Sequence, residues 1–170
     1  PLPAAASGIA PSEALTVAQY VTRTEIISRM TVAAQNPGVT SPFYKTTWVA
    51  FYGRPNTPVM GIVGEEPIDR LTDILKDRAR QIDALNGPSL RVRPAFHLVH
   101  GMATIAEGDG SHLAYLNDDL VMEYIEQGLK HQVAVILDVQ MGALSATEAL
   151  EPVMKYLKYP NVHLALDPEF

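Results

Sequence analysis

With 170 residues, 47% of them hydrophobic and 19% charged, the chain can build one domain with a true core. It is too short for a complete eight-unit barrel, which takes roughly 250 residues. A net charge of −6 without a Lys/Arg cluster argues against a nucleic-acid partner, no apolar run of about 18 residues spans a membrane, and the lack of cysteine excludes disulfides, thiolate metal sites and a cysteine nucleophile.

Residues 1–40 form a first unit. Its start, "PLPAAASGIAPSEA", is a Pro- and Ala-rich tether with no basic stretch and no apolar leader core. That fits a segment left after leader removal, hence an exported protein of the extracellular space or cell envelope; an internal boundary is the other reading. "ALTVAQYVTRTEIISRMTVAAQ" follows as a helix, and "NPGVTSP" breaks it.

Residues 41–170 form the second unit, where the pattern turns regular. "TTWVAFYG" predicts a strand. Ile68, Leu71, Leu75, Ile82 and Leu85 then recur at helical spacing, with Asn86-Gly87-Pro88 as the stop. "RVRPAFHLVHG" is the second strand. After a loop rich in Gly and Asp, Asn117 can cap a helix with Leu120, Val121, Tyr124, Ile125 and Leu129 on one stripe. "VAVILDV" is the third strand. Ser145 and Glu148 form a capping-box pattern, Pro152 either splits the helix that follows or opens it, and "VHLALD" is the fourth strand. The order is α/β, a parallel (βα)3β half of a TIM-like barrel; the open doubly wound sheet is the competing architecture.

Alternation sorts each strand into two faces. Val133, Val135, Leu137 and Val139 share one, and Ala134, Ile136, Asp138 and Gln140 the other. The last strand repeats the design, with Val162, Leu164 and Leu166 against His163, Ala165, Asp167 and Glu169. Ala50, Tyr52, Ala95 and His97 join the small-plus-polar set. In a barrel that set faces inward, with its polar members at the C-terminal ends of the strands, where active sites form. Tyr52, His97, Asp138, Gln140, Asp167 and Glu169 are therefore expected at one mouth.

Each has a structural alternative. Asp138 and Asp167 can cap the loops that follow them, His97 can be a satisfied core histidine, and Tyr52 a core aromatic. His100 and His112 read as loop residues. Glu169, held by Asp-Pro at a strand end, has the least structural purpose. The Gly-rich loop "GRPNTPVMGIVGEEP" could cradle an anion, but Glu65 and Glu66 already occupy the positive end of the next helix, which favours a tight loop. No GxGxxG follows the first strand and no GxSxG is present, so no dinucleotide, no other cofactor and no serine nucleophile is expected. His97, Asp138, Asp167 and Glu169 offer donors to a divalent cation without a compact motif, and no metal is expected.

"WVAFYGRPNTPVMGIVGE", "PAFHLVHGMA", "VILDVQMG" and "HLALDPEF" together resemble a poorly characterised family of exported or lipoprotein-like bacterial proteins with a TIM-barrel-like, glycosidase-type domain. The likeness spans roughly residues 45–170 and concerns this chain as an N-terminal half of that domain. It implies a partner, the remaining half of the barrel from the same precursor or from a second chain, and a carbohydrate ligand. It implies glycoside hydrolase-like chemistry with Glu169 as general acid/base, Asp138 and Asp167 tuning and positioning, and Tyr52, His97 and Gln140 lining the subsite. A non-catalytic cell-surface or assembly component with a vestigial or ligand-binding mouth is the alternative.

Overall fold

The computed structural model describes residues 41–105 and 109–168; the expected tether and helix of residues 1–40, and Glu169, lie outside them. Strand β1 (Thr46–Gly53) leads through a short helix α1 (Ile62–Glu65) to the long helix α2 (Ile68–Asn86). Strands β2 (Arg91–Ala103) and β3 (Leu113–Tyr115) precede α3 (Asp118–His131). Then come β4 (Ala134–Gln140), α4 (Ala146–Leu150) with a 3-10 turn (Glu151–Tyr156), and β5 (Val162–Asp167).

The sheet order is β1-β2-β4-β5, all parallel, with β3 antiparallel to the end of β2. This is the expected (βα)3β arrangement of a TIM-like half-barrel. Neighbours in the sheet follow one another along the chain, so right-handed crossovers put every connecting helix on the same side. A doubly wound sheet reverses its strand order and takes helices on both faces; among the described residues the order does not reverse. β3 was not expected. Three residues in a Gly/Asp-rich stretch carry too little periodicity to announce a strand, and pairing with the overhanging end of β2 creates it.

Alternation is realised as expected. Val133, Val135, Leu137 and Val139 are 0–1% exposed and share one core with Phe96, Leu98, Leu71, Leu75, Val121 and Ile125. The opposite face holds only a small cluster of Ala95, Ala134 and Ile136, with Trp48 and Ala165 against it. On α2, Leu71 and Leu75 are fully buried and Ala79 extends the stripe, whereas Leu85 is 88% exposed. At about 100° per residue Leu85 falls on the flank of that stripe. α3 starts as expected, with the Asn117 side chain accepting from Leu120 N at 2.8 Å. The Ser145–Glu148 capping box opens α4, which stops at Leu150 because Pro152 cannot continue its hydrogen bonds.

The two faces predict opposite mutational costs. Phe96→Ala, on the helix side, is expected to cost about 3–5 kcal/mol in urea unfolding. Tyr52→Ala, on the open side, is expected to cost under about 1 kcal/mol. Equal costs would contradict the face assignment.

Candidate active site

The polar residues expected at one mouth converge through register. Tyr52 pairs with His97, and His97 with Ile136. Asp138 therefore stands two residues beyond the partner of His97, and Asp167 two residues beyond Ala165, the partner of Asp138. An eight-stranded barrel of shear 8 moves points of equal height by about one residue per strand towards the C-terminal ends. The drift along this sheet has that sense and roughly that size, so Tyr52, His97, Asp138 and Asp167 follow one rim. The repeated "Leu-Asp" of β4 and β5 is thus staggered. Gln140, not Asp138, is the partner of Asp167.

At the centre of the rim, His97 Nε2 lies 3.0 Å from Asp138 Oδ2. A carboxylate only accepts, so with Asp138 ionised the ring donates from Nε2 and, when neutral, keeps its lone pair on Nδ1. Asp138 is 5% exposed, and its Oδ1 is buried with no hydrogen-bond partner. Such an atom is costly to enclose unless a donor reaches it. Tyr52 stands edge-on to His97, with ring centroids 5.0 Å apart and planes at 87°. It is 48% exposed, which corrects the core-aromatic alternative. Asp138 does not cap its loop, since its carboxylate is spent across the strands on His97.

Gln140 accepts from Ala103 N at 2.6 Å and ties the end of β2 to β4, a fastening role beside its place at the rim. Asp167 is the last residue of β5 and is partly exposed. Among the described residues no three His, Asp or Glu side chains are grouped to hold a metal ion, and no helix is long and apolar enough to cross a membrane.

The Gly-rich loop after β1 is tight, as the acidic residues suggested. A Cβ on Gly53 would lie 2.1 Å from Met60 O, and one on Gly61, at φ +90°, would lie 2.7 Å from Tyr52 O. Carbonyl oxygens fill the places an anion would need, and Glu66 pairs with Arg70 at 3.1 Å.

His100 is the main correction. His112 does lie in a loop, but His100 is inside β2 and 2% exposed. The ladder slips between Val99 and Gly101, so His100 is the extra residue of a bulge, continued into strand by pairing with β3. It sits between the rings of Tyr115 and Tyr156, at 5.5 and 5.7 Å, with its Nδ1 unpaired. Arg54, directly after β1, donates to Val99 O at 2.8 Å and His100 O at 3.3 Å. Tyr156 donates to Asp118 Oδ1 at 2.8 Å, and Lys155 pairs with the same carboxylate. Arg54 was legible only as a charge at a strand end. The bulge left no mark in the sequence.

Burial, then Arg54 and Lys155, push the His100 pKa from 6.5 to about 4, with Asp118 opposing. The unfolded chain therefore binds the extra proton first as pH falls. The contribution of neutral His100 is fully present above pH 6.5 and is lost on the way down to about 4, on the order of 3 kcal/mol in all. Urea unfolding at pH 7 and 4.5 should show a larger loss for the native protein than for His100→Gln; equal losses would count against it.

Comparison with protein-family models, curated proteins and solved structures found no match for this chain. What the rim can do is read from its own groups, an imidazole tied to a carboxylate, a second carboxylate, a carboxamide and an open tyrosine ring.

Proposed function

We propose that the protein is an exported, glycoside hydrolase-like barrel component whose C-terminal mouth takes carbohydrate. The observation that carries the reading is the Asp138–His97 contact with the half-exposed Tyr52 ring beside it, on the sheet face opposite the connecting helices. An imidazole oriented by a buried carboxylate is a general acid/base in form. An exposed tyrosine gives a sugar ring an apolar plane and a hydroxyl. The choice of carbohydrate rests on the resemblance of the strand-end motifs to glycosidase-type barrels.

The geometry revises the roles. Asp138 serves His97, so the carboxylates left for glycosidic chemistry are Asp167 and, on sequence alone, Glu169. Two residues of extended chain span about 6.5–7 Å at the backbone, within the roughly 5–9.5 Å that such hydrolysis uses. A second reading, a non-catalytic cell-envelope component, gains from Gln140: its contact with Ala103 N gives one rim residue a structural task.

A panel of chromogenic glycosides separates the readings. Glu169→Gln is expected to lower turnover by about 100-fold or more at unchanged melting temperature, because the amide cannot exchange a proton. Oligosaccharide binding that Tyr52→Ala abolishes, without hydrolysis by the native protein, would select the second reading. Neither hydrolysis nor binding would overturn both.

Closure of the barrel belongs to the same proposal. β1 and β5 are the outer strands of the parallel ladder. "VHLAL" carries no charged or proline block, and such edges invite pairing. Further strands, from the same precursor first and from a second copy otherwise, would cover the face of Ala95, Ala134 and Ile136. Solution scattering of the isolated chain should therefore show association; a monodisperse particle of 18.5 kDa would defeat the closure.

A further inference from the structure

The opposite end of the sheet holds a feature that this reading does not use. The N-terminal ends of β1 and β2 border an open cleft of about 530 Å³, lined by Ser41, Lys45, Thr46, Ser89, Arg91 and Arg93 among others. Register builds it. Thr46 pairs with Arg91 and Trp48 with Arg93, so the two arginines, two residues apart, share one face of β2. Lys45 is held beside them in a left-handed conformation, φ 48°, with its carbonyl accepting from Arg91 N at 3.0 Å. A neighbouring cleft of about 510 Å³ shares Pro42 and Arg93 and extends to Asn161 and His163.

No carboxylate lines either cleft among the described residues. The ion pairs among those residues are Arg70–Glu66, Arg80–Asp77, His97–Asp138 and Lys155–Asp118, so Lys45, Arg91 and Arg93 have no acidic partner there. In a chain of net charge −6 this is a local reversal of sign. Three cations crowded into one concavity repel each other, and the concavity focuses their field on whatever enters. Isolated surface cations would be solvated one by one. Here a pinned backbone turn and a strand ladder hold three of them to one opening.

We infer that this cleft binds a tetrahedral oxyanion, the phosphate or sulfate group of a small ligand, with Arg91 and Arg93 as its guanidinium donors and Lys45 as a third charge. Guanidinium suits that geometry because its planar fork meets two oxygens at once. The hydroxyls of Ser41 and Ser89 add donors at the same opening. The site is separate from the mouth at the C-terminal rim, and neither depends on the other.

Calorimetric titration of the full chain with sodium phosphate, and separately with sodium sulfate, tests the inference, with sodium chloride holding ionic strength constant. Saturable binding with a Kd of about 1 mM or tighter is expected for at least one oxyanion. Arg91→Gln and Arg93→Gln should each weaken it on the order of tenfold, since each removes a charge-assisted pair of bonds. Both variants should melt at the native temperature without anion, because neither arginine supports the core. Response to only one of the two salts would identify the oxyanion. Heats that match the chloride control, or binding unchanged in the Arg91→Gln/Arg93→Gln double variant, would overturn the inference.

Discussion

Everything at the rim depends on one constraint, that four parallel strands follow one another across the sheet without a reversal of order. Right-handed crossovers then stack all the helices on one side. That side takes the branched aliphatic residues of β4 and the Phe96 and Leu98 of β2 into a single core. The other side carries a small cluster of Ala95, Ala134 and Ile136, with Trp48 and Ala165 against it, and the polar strand ends, as alternation along each strand requires. Among the described residues, a polar face free of helices is thus a consequence of the packing on its reverse.

The same register decides which polar groups meet. His97 reaches Asp138 across a diagonal step of the ladder, since its direct partner is Ile136. The advance of two residues from β2 to β4, and of two more from β4 to β5, keeps the polar groups level as a tilted sheet begins to curl. One irregularity interrupts this order. The bulge at His100 ends the regular pairing of β2 with β4, turns an imidazole into the helix layer among tyrosines, and leaves Gly101 to approach the Tyr115 ring. The extension of β2 past the bulge is held by β3 and by Gln140, so that a residue of the rim also secures the strand that frames it.

Charge is distributed by the same geometry. Asp138 and Asp167 stand at the C-terminal rim. Lys45, Arg91 and Arg93 gather at the N-terminal rim. Burial, and then Arg93, hold the His163 pKa below its usual value. The two ends of one short sheet therefore differ in their chemistry.

The sequence by itself determined the elements and their faces, because those follow from local periodicity: valines every second residue, leucines and isoleucines at helical spacing, Asn117 and Ser145 as caps. It also determined that Asp138, His97 and Tyr52 lie on one face, since alternation is a property of each strand alone. What only the tertiary structure decided is everything that depends on pairing between distant segments. The stagger that puts Asp138 on His97, the bulge that buries His100, the strand made of Leu113–Tyr115 and the meeting of Lys45 with Arg91 and Arg93 all arise from pairing between segments that are not neighbours in the chain. No residue's own neighbours encode such a register. It is set by which sheet edge the strand meets and how far the ladder slides before its apolar side chains fit the core.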